Sequence, residues 1–230
     1  VRMAEALAPG APIHIHVAEQ VAEVTEVLAA TGKRPVEWLL ENHQMNSRWC
    51  LIHATQMEPF ETEAVAKSGA IAGLCPITEA NLGDGIFPLK DYLKHKGRWA
   101  VGSDSNASVS VVEELRWLEY GQRLKHQQRN LVADAKQPDV GTQLLAGAAA
   151  GGWQASGVEA RDDCIELDGN APALFGASAQ DLASRFIFAG NRPLIRRVTA
   201  HGIERVINGE HVFRRPFEAA YRLAMGQLLT

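Results

Sequence analysis

Between residues 12 and 104 the chain repeats one pattern: a short apolar run, a polar or ionisable residue at its C-terminal end, then apolar residues at helical spacing. The runs Ile13–Ala18, Trp49–Ala54, Ala70–Cys75 and Trp99–Ser103 predict strands. Between them, Glu19–Ala30, Pro35–Glu41, Glu58–Ser68 and Pro88–Lys94 predict helices. That order is βαβα, which calls for a parallel sheet.

Farther along, "VVEELRWLEYGQRL" (111–124) spaces Val112, Leu115, Leu118 and Leu124 at helical intervals, with Trp117, Leu118 and Tyr120 expected in the core. A polar link, "KQPDVG", leads to "TQLLAGAAAGGWQASG", an alanine-rich helix ended by glycine. After about residue 160 the texture changes. "DDCIELDGN", "RFIFAG" and "IRRVTAHGIERVINGEHV" read as short β runs with Gly or Asn at the turns, and "RPFEAAYRLAMGQLL" closes the chain as a helix. The expected organisation is residues 1–160 as an α/β unit, 161–214 as part of a small β domain, and 215–230 as a C-terminal helix.

Composition narrows the function classes. At 230 residues, 46% hydrophobic and 22% charged, the chain has material for a sizeable core. A net charge of -4 lacks the basic footprint that nucleic acid or an anionic membrane requires. A small molecule, or a second copy in a homodimer, is the partner left. Cys50, Cys75 and Cys164 are odd in number and widely spaced, which fits buried free thiols in a reducing compartment and hence a cytoplasmic location. No apolar stretch approaches the ~20 residues that span a bilayer, and no signal-peptide pattern opens the sequence.

The candidate chemistry sits at strand ends. In "PIHIHVAEQ" (12–20), period-two geometry points His14 and His16 to the same side, with His16 nearer the strand's C-terminal end and Glu19 three residues on. Taken alone, this segment fits a hydrogen-bonded core histidine as well as a functional one. However, His53 ends the second apolar run and Asp104 the fourth, and in a parallel β/α barrel such ends share one mouth. Imidazole and carboxylate without thiolate suit a catalytic zinc or similar divalent ion with an open position for water. Glu19 would carry a proton from that water to a leaving group, and His53 would hold or polarise water or substrate. The set describes metal-assisted hydrolysis.

"HIHVAEQ", "LIHATQM", "GLCPITEANLGDGIFP" and "GSDSNASVSVVEELRWLEYGQRL", in this order, resemble the amidohydrolase superfamily and, within it, the branch of formimidoylglutamate deiminases. The resemblance extends to "LDGN" and "RFIFAG" and so runs over nearly the whole chain. It implies a TIM-type (β/α)8 barrel of which this chain holds strands five to eight. His16 becomes the metal ligand of strand five, Glu19 the proton shuttle, His53 the strand-six histidine near the water, and Asp104 the strand-eight ligand. His14 matches no catalytic position and is expected to pack. Thr78, Glu79 and Asn81 follow strand seven, where they would either line the substrate cavity or form a turn on Gly83 and Gly85 capped by Asn81. The implied activity is hydrolysis of N-formimino-L-glutamate to N-formyl-L-glutamate and ammonia in histidine degradation, with one divalent metal, zinc. A complete barrel takes about 250 residues, so an N-terminal half carrying the strand-one His-x-His pair is expected outside this chain. Two alternatives stay open: a purine or pyrimidine deaminase with the same metal centre, and a non-catalytic fragment that retains the motifs.

Overall fold

The computed structural model describes residues 1–134, 136–159 and 161–229. It divides into two compact units, one of Val1–Glu159 with Ala179–Phe188, the other of Ala160–Ser178 with Ala189–Thr230. Residues 160 and 230, at the expected domain boundary and helix end, lie outside the described residues.

The larger unit is built on strands β1 (Ile13–Val17), β2 (Trp49–His53), β3 (Ile71–Leu74) and β4 (Arg98–Val101). They form one sheet in the order β1-β2-β3-β4, parallel throughout. Strand ends therefore point one way: Val17 pairs with His53, and Leu74 with Val101. Trp49, Leu51, Ile71, Ala72 and Leu74 are fully or almost fully buried, as expected where helices cover a parallel sheet.

Local signals set the helix bounds. Helices α3 (Pro35–Asn42) and α4 (Pro59–Ser68) start with proline at the first turn, where its missing N–H costs nothing. Gly32 and Gly69, with φ of 73° and 81°, stop α2 (Val21–Thr31) and α4 in the left-handed conformation. Buried Glu61 ties α3 to α4: it accepts Arg34 Nε at 2.9 Å and the N–H groups of Glu37 and Glu58. A short helix, α1 (Arg2–Leu7), precedes β1 and was not expected from the sequence pattern.

Residues 76–82, expected as a loop or turn, form helix α5 (Pro76–Leu82); Pro76 opens it and Gly83 (φ 75°) ends it. Helices α6 (Leu89–Lys94) and α7 (Val111–His126) follow. The buried face of α7 carries Glu114, Leu115, Leu118, Glu119 and Gln122, while Trp117 and Tyr120, expected in the core, are 44% and 37% exposed. The carboxylates take those positions because each finds a donor: Glu114 accepts Ile77 N–H, and Glu119 accepts Arg123 Nε and Leu131 N–H.

The C-terminal turn of helix α8 (Val140–Ser156) meets the chain just ahead of β2 and β3. Gln154 Nε2 donates to the carbonyls of Ser47 and Gly69 at 2.8 and 3.0 Å, just ahead of β2 and β3. His14, expected to pack, is exposed, and its Nε2 lies 2.8 Å from the Ala155 carbonyl oxygen. Gly151 lets helix and sheet backbone touch, since a Cβ there would lie 1.9 Å from the Trp99 carbonyl oxygen.

In the smaller unit, β5 (Cys164–Leu167), β6 (Ile195–Ala200), β7 (Ile203–Ile207) and β8 (Glu210–His211) form an antiparallel sheet in chain order. His201-Gly202 and Asn208-Gly209, all at positive φ, make the two hairpin turns. Arg196 and Arg197 are exposed and pair with Glu166 and Glu204, a solvated strand face. Helix α10 (Arg214–Leu228) follows. "RFIFAG", expected as a β run, falls instead mainly in helix α9 (Leu182–Phe188), which packs on α8 within the larger unit. Burial of Phe186 and Ile187 there overrides the β propensity of Phe and Ile. Cys50 and Cys75 are buried free thiols, whereas Cys164, on β5, is exposed, against expectation. Among the described residues no helix is long and apolar enough to cross a membrane.

Candidate active site

The C-terminal ends of the parallel strands converge around one imidazole. His53, the last residue of β2, is fully buried. Its Nε2 lies 3.6 Å from Glu19 Oε1 and 3.6 Å from Asp104 Oδ2, and has no hydrogen-bond partner among the described residues. Its Nδ1 lies 3.3 Å from Glu79 Oε1. His16, the penultimate residue of β1 on the strand neighbouring β2, brings its ring centroid to 5.5 Å from that of His53. Four predicted residues, from three strand ends, thus meet in one mouth.

The backbone aims these side chains. Ala18, His53, Ala54 and Asp104 all take left-handed φ, at 52°, 66°, 50° and 54°, so the chain turns sharply as it leaves β1, β2 and β4. Such a conformation costs roughly 1–2 kcal/mol for an L-residue, and that strain concentrates at functional sites. The Glu23 carboxylate steadies the turn after β1 by accepting the N–H groups of Ala18 and Glu19 at 2.7 and 2.8 Å. From the loop after β2, Gln56 Nε2 donates to the Glu19 carbonyl at 3.2 Å and to the Asp84 carbonyl. Three loops are therefore tied together around Glu19.

The electrostatics follow from burial and an excess of acids. Burial pushes Glu19 above the usual carboxylate range; neighbouring Asp84 and Asp104 add to this and His53 opposes it. For His53, burial pulls downward, but the Glu79 hydrogen bond and the charges of Glu19, Glu79 and Asp104 outweigh it and raise the imidazole above its ordinary value. Behind them, burial raises Glu114 to about 7, despite the Ile77 N–H it accepts.

Among the remaining candidates, Thr78 and Glu79 are buried in the first turn of α5, and Thr78 Oγ1 lies 3.4 Å from Asn106 Nδ2. Asn81 is exposed toward the end of that helix. Sequence reasoning missed Cys75, whose Sγ lies within 4.8 Å of ligand atoms of His53 and Asp104. The available signal was its position, since it follows β3 directly, much as His53 and Asp104 stand at or beyond the ends of their strands. Burial and the adjoining acids push its thiol pKa up. A cavity of about 490 Å³ surrounds the start of β4, lined by Leu93, Arg98, Trp99 and Leu131, at the other end of the sheet from this cluster.

Imidazole and carboxylate donors thus gather at the mouth of a parallel β/α sheet. Residues 2–148 match the amidohydrolase family model, and the chain belongs to that family. It is 48% identical over 225 residues to formimidoylglutamate deiminase of Pseudomonas aeruginosa, covering 95% of this chain and 50% of that protein. The crystal structure of an amidohydrolase from Brucella melitensis superposes with a TM-score of 0.92 at 45% identity, over 98% of this chain and 51% of that one. An adenosine deaminase from Xanthomonas campestris with bound zinc gives a TM-score of 0.84 over 98% of this chain and 52% of its own; at 21% identity that likeness shows the fold alone. The α/β fold is thus similar to amidohydrolase barrel structures over about half their length. The chain spans about half the length of the curated relatives it matches.

Proposed function

We propose that this chain is the C-terminal portion, barrel strands five to eight, of a metal-dependent hydrolase that converts N-formimino-L-glutamate and water to N-formyl-L-glutamate and ammonia in histidine degradation. The observation that carries the reading is His53 Nε2, buried, without a hydrogen-bond partner among the described residues, and 3.6 Å from both Glu19 and Asp104. The 48% identity to a formimidoylglutamate deiminase supports the substrate.

The donor set fits a divalent metal. The orphaned imidazole nitrogen and the facing carboxylates leave an unneutralised acidic mouth, and such nitrogen and oxygen donors suit zinc. A zinc ion binds the Xanthomonas relative. His16 and Asp104 would hold the metal, which when bound brings the pKa of water to about 7. Two ligands fall short of a catalytic site's usual three, so the rest would come from an N-terminal barrel half, in keeping with relatives twice as long.

Glu19 accepts a proton from the attacking water at a carboxylate oxygen and hands it to the departing nitrogen; burial, which raises its pKa, makes it a better proton acceptor than an ordinary carboxylate. His53 Nε2 and Asp104 Oδ2, on either side of the same space, orient that water toward the formimino carbon. The larger unit, residues 1–159 with 179–188, then forms the catalytic half-barrel, and residues 161–178 with 189–229 form part of a small β domain and its terminal helix.

The test uses the whole protein that contains this chain and measures ammonia release from formiminoglutamate beside guanine, cytosine and adenosine. Release from the formimino compound alone is expected. Efficient ring deamination without it would assign the site to the purine or pyrimidine deaminases.

A further inference from the structure

The sequence pattern offers Glu79 as a wall of the substrate cavity, but its surroundings give it another task. Its side chain is 5% exposed, on the first turn of α5, and contacts His53 at the ring nitrogen other than the one that faces Glu19 and Asp104. A single oxygen, Oε1, lies 3.3 Å from His53 Nδ1 and also accepts the Cys75 N–H at 2.9 Å. The Cys75 bond anchors the carboxylate to the turn between β3 and α5. A second buried acid braces that turn from behind, as Glu114 on α7 accepts the Ile77 N–H at 2.9 Å.

We infer that Glu79 is a positioning residue, which fixes the His53 ring with its proton on Nδ1 and so directs Nε2 into the mouth. A neutral imidazole carries one N–H and a charged one carries two, so in either state a carboxylate oxygen against Nδ1 calls for a proton on Nδ1. Glu79 offers only acceptor oxygens to Nδ1, so Nδ1 is the donor. Without that bond the ring would be free to rotate about Cβ–Cγ and to change tautomer. Left-handed backbone at His53 makes the arrangement more demanding, because the strand geometry does not itself hold this side chain.

The inference rests on reading the mouth as a hydrolytic site, and the test separates the two. In the whole protein, Glu79→Gln retains an acceptor oxygen at the same reach, whereas Glu79→Leu retains bulk without one. Loss of a partner that orients a site histidine typically costs about 10–100-fold in activity. Glu79→Leu should lose that much in kcat with KM within about threefold and metal content unchanged, and Glu79→Gln should recover most of it. Nitrogen NMR of histidine-labelled protein, assigned by difference with His53→Asn, should show Nδ1 protonated in the parent and in Glu79→Gln. That readout needs no turnover, so it stands even if formiminoglutamate proves not to be the substrate, and Glu79→Gln carries the test alone if Glu79→Leu does not fold. A raised KM with unchanged kcat would make Glu79 a substrate contact instead. A parent His53 protonated only on Nε2, or equal loss in the Gln and Leu variants, would overturn the inference.

Discussion

Helix α8 offers a stability test in which two neighbouring glycines should respond with opposite sign. At Gly151 an added Cβ would meet the Trp99 carbonyl oxygen at 1.9 Å, its carbon at 2.5 Å and the Ala100 nitrogen at 3.1 Å. All three atoms belong to the β4 backbone, so no side chain can swing aside. Relief requires α8 and β4 to part by roughly 1.5 Å, taking ordinary van der Waals contact as the limit. That movement would stretch the 2.8 and 3.0 Å bonds from Gln154 to the Ser47 and Gly69 carbonyls, three residues along the same helix. Overpacking costs about 1–3 kcal/mol and each weakened hydrogen bond about 1 kcal/mol, against a helix-propensity gain near 1 kcal/mol for alanine over glycine. Gly151→Ala should therefore destabilise by roughly 2–4 kcal/mol. At Gly152 a Cβ meets nothing within 4 Å, so only the propensity gain remains. Gly152→Ala should stabilise by about 0.5–1 kcal/mol. Urea unfolding of both variants beside the parent reads the difference as a shift in midpoint at constant slope. If Gly151→Ala proves as stable as Gly152→Ala, the direct seating of α8 on β4 is wrong.

Two further outcomes follow from the mouth and its support. In the whole protein, Glu19→Gln should keep its metal while turnover falls about 10²–10⁴-fold, the usual contribution of a general acid–base group; near-parental ammonia release would remove Glu19 from the proton path. Glu114, raised by burial from 4.5 to about 7, binds its proton more tightly folded than unfolded, so its contribution to stability is complete below pH 4.5 and is lost as pH rises through 7. The swing is on the order of 3 kcal/mol, and Glu114→Gln should flatten that part of the stability profile between pH 5 and 8 in urea titrations; an unchanged profile would show that Glu114 is not the titrating group.

Much of this architecture is legible in the order of residues, for definite physical reasons. The four parallel strands are short, mainly apolar runs with an ionisable residue or a cysteine at or just beyond their ends, so they differ from the expected bounds by only one or two residues. His16, Glu19, His53 and Asp104 share a mouth because parallel strands all end on one side, which needs no knowledge of side-chain packing. Failures came where long-range contacts decide. Gly83 and Gly85 suggested a turn, although Gly83 instead serves as the left-handed stop of a short helix that Pro76 opens. Trp117 is hydrophobic enough for a core, yet the buried face of α7 went to acids whose donors come from other segments. The His53–Glu79 contact spans 26 positions, and no local spacing encodes it.

The left-handed residues at the strand ends divide the site into parts with different evolutionary freedom. At Ala18 and Ala54 the strain belongs to the backbone alone, and glycine would relieve about 1 kcal/mol of it without removing any donor to the mouth. At His53 and Asp104 the same conformation carries the reactive side chain, so no substitution can relax the fold there and keep the chemistry. Under selection for folding alone, those two positions should drift first; under selection for activity, they should remain fixed while the alanines beside them vary. The pattern of change along a lineage of this protein would therefore show whether its mouth was still in use.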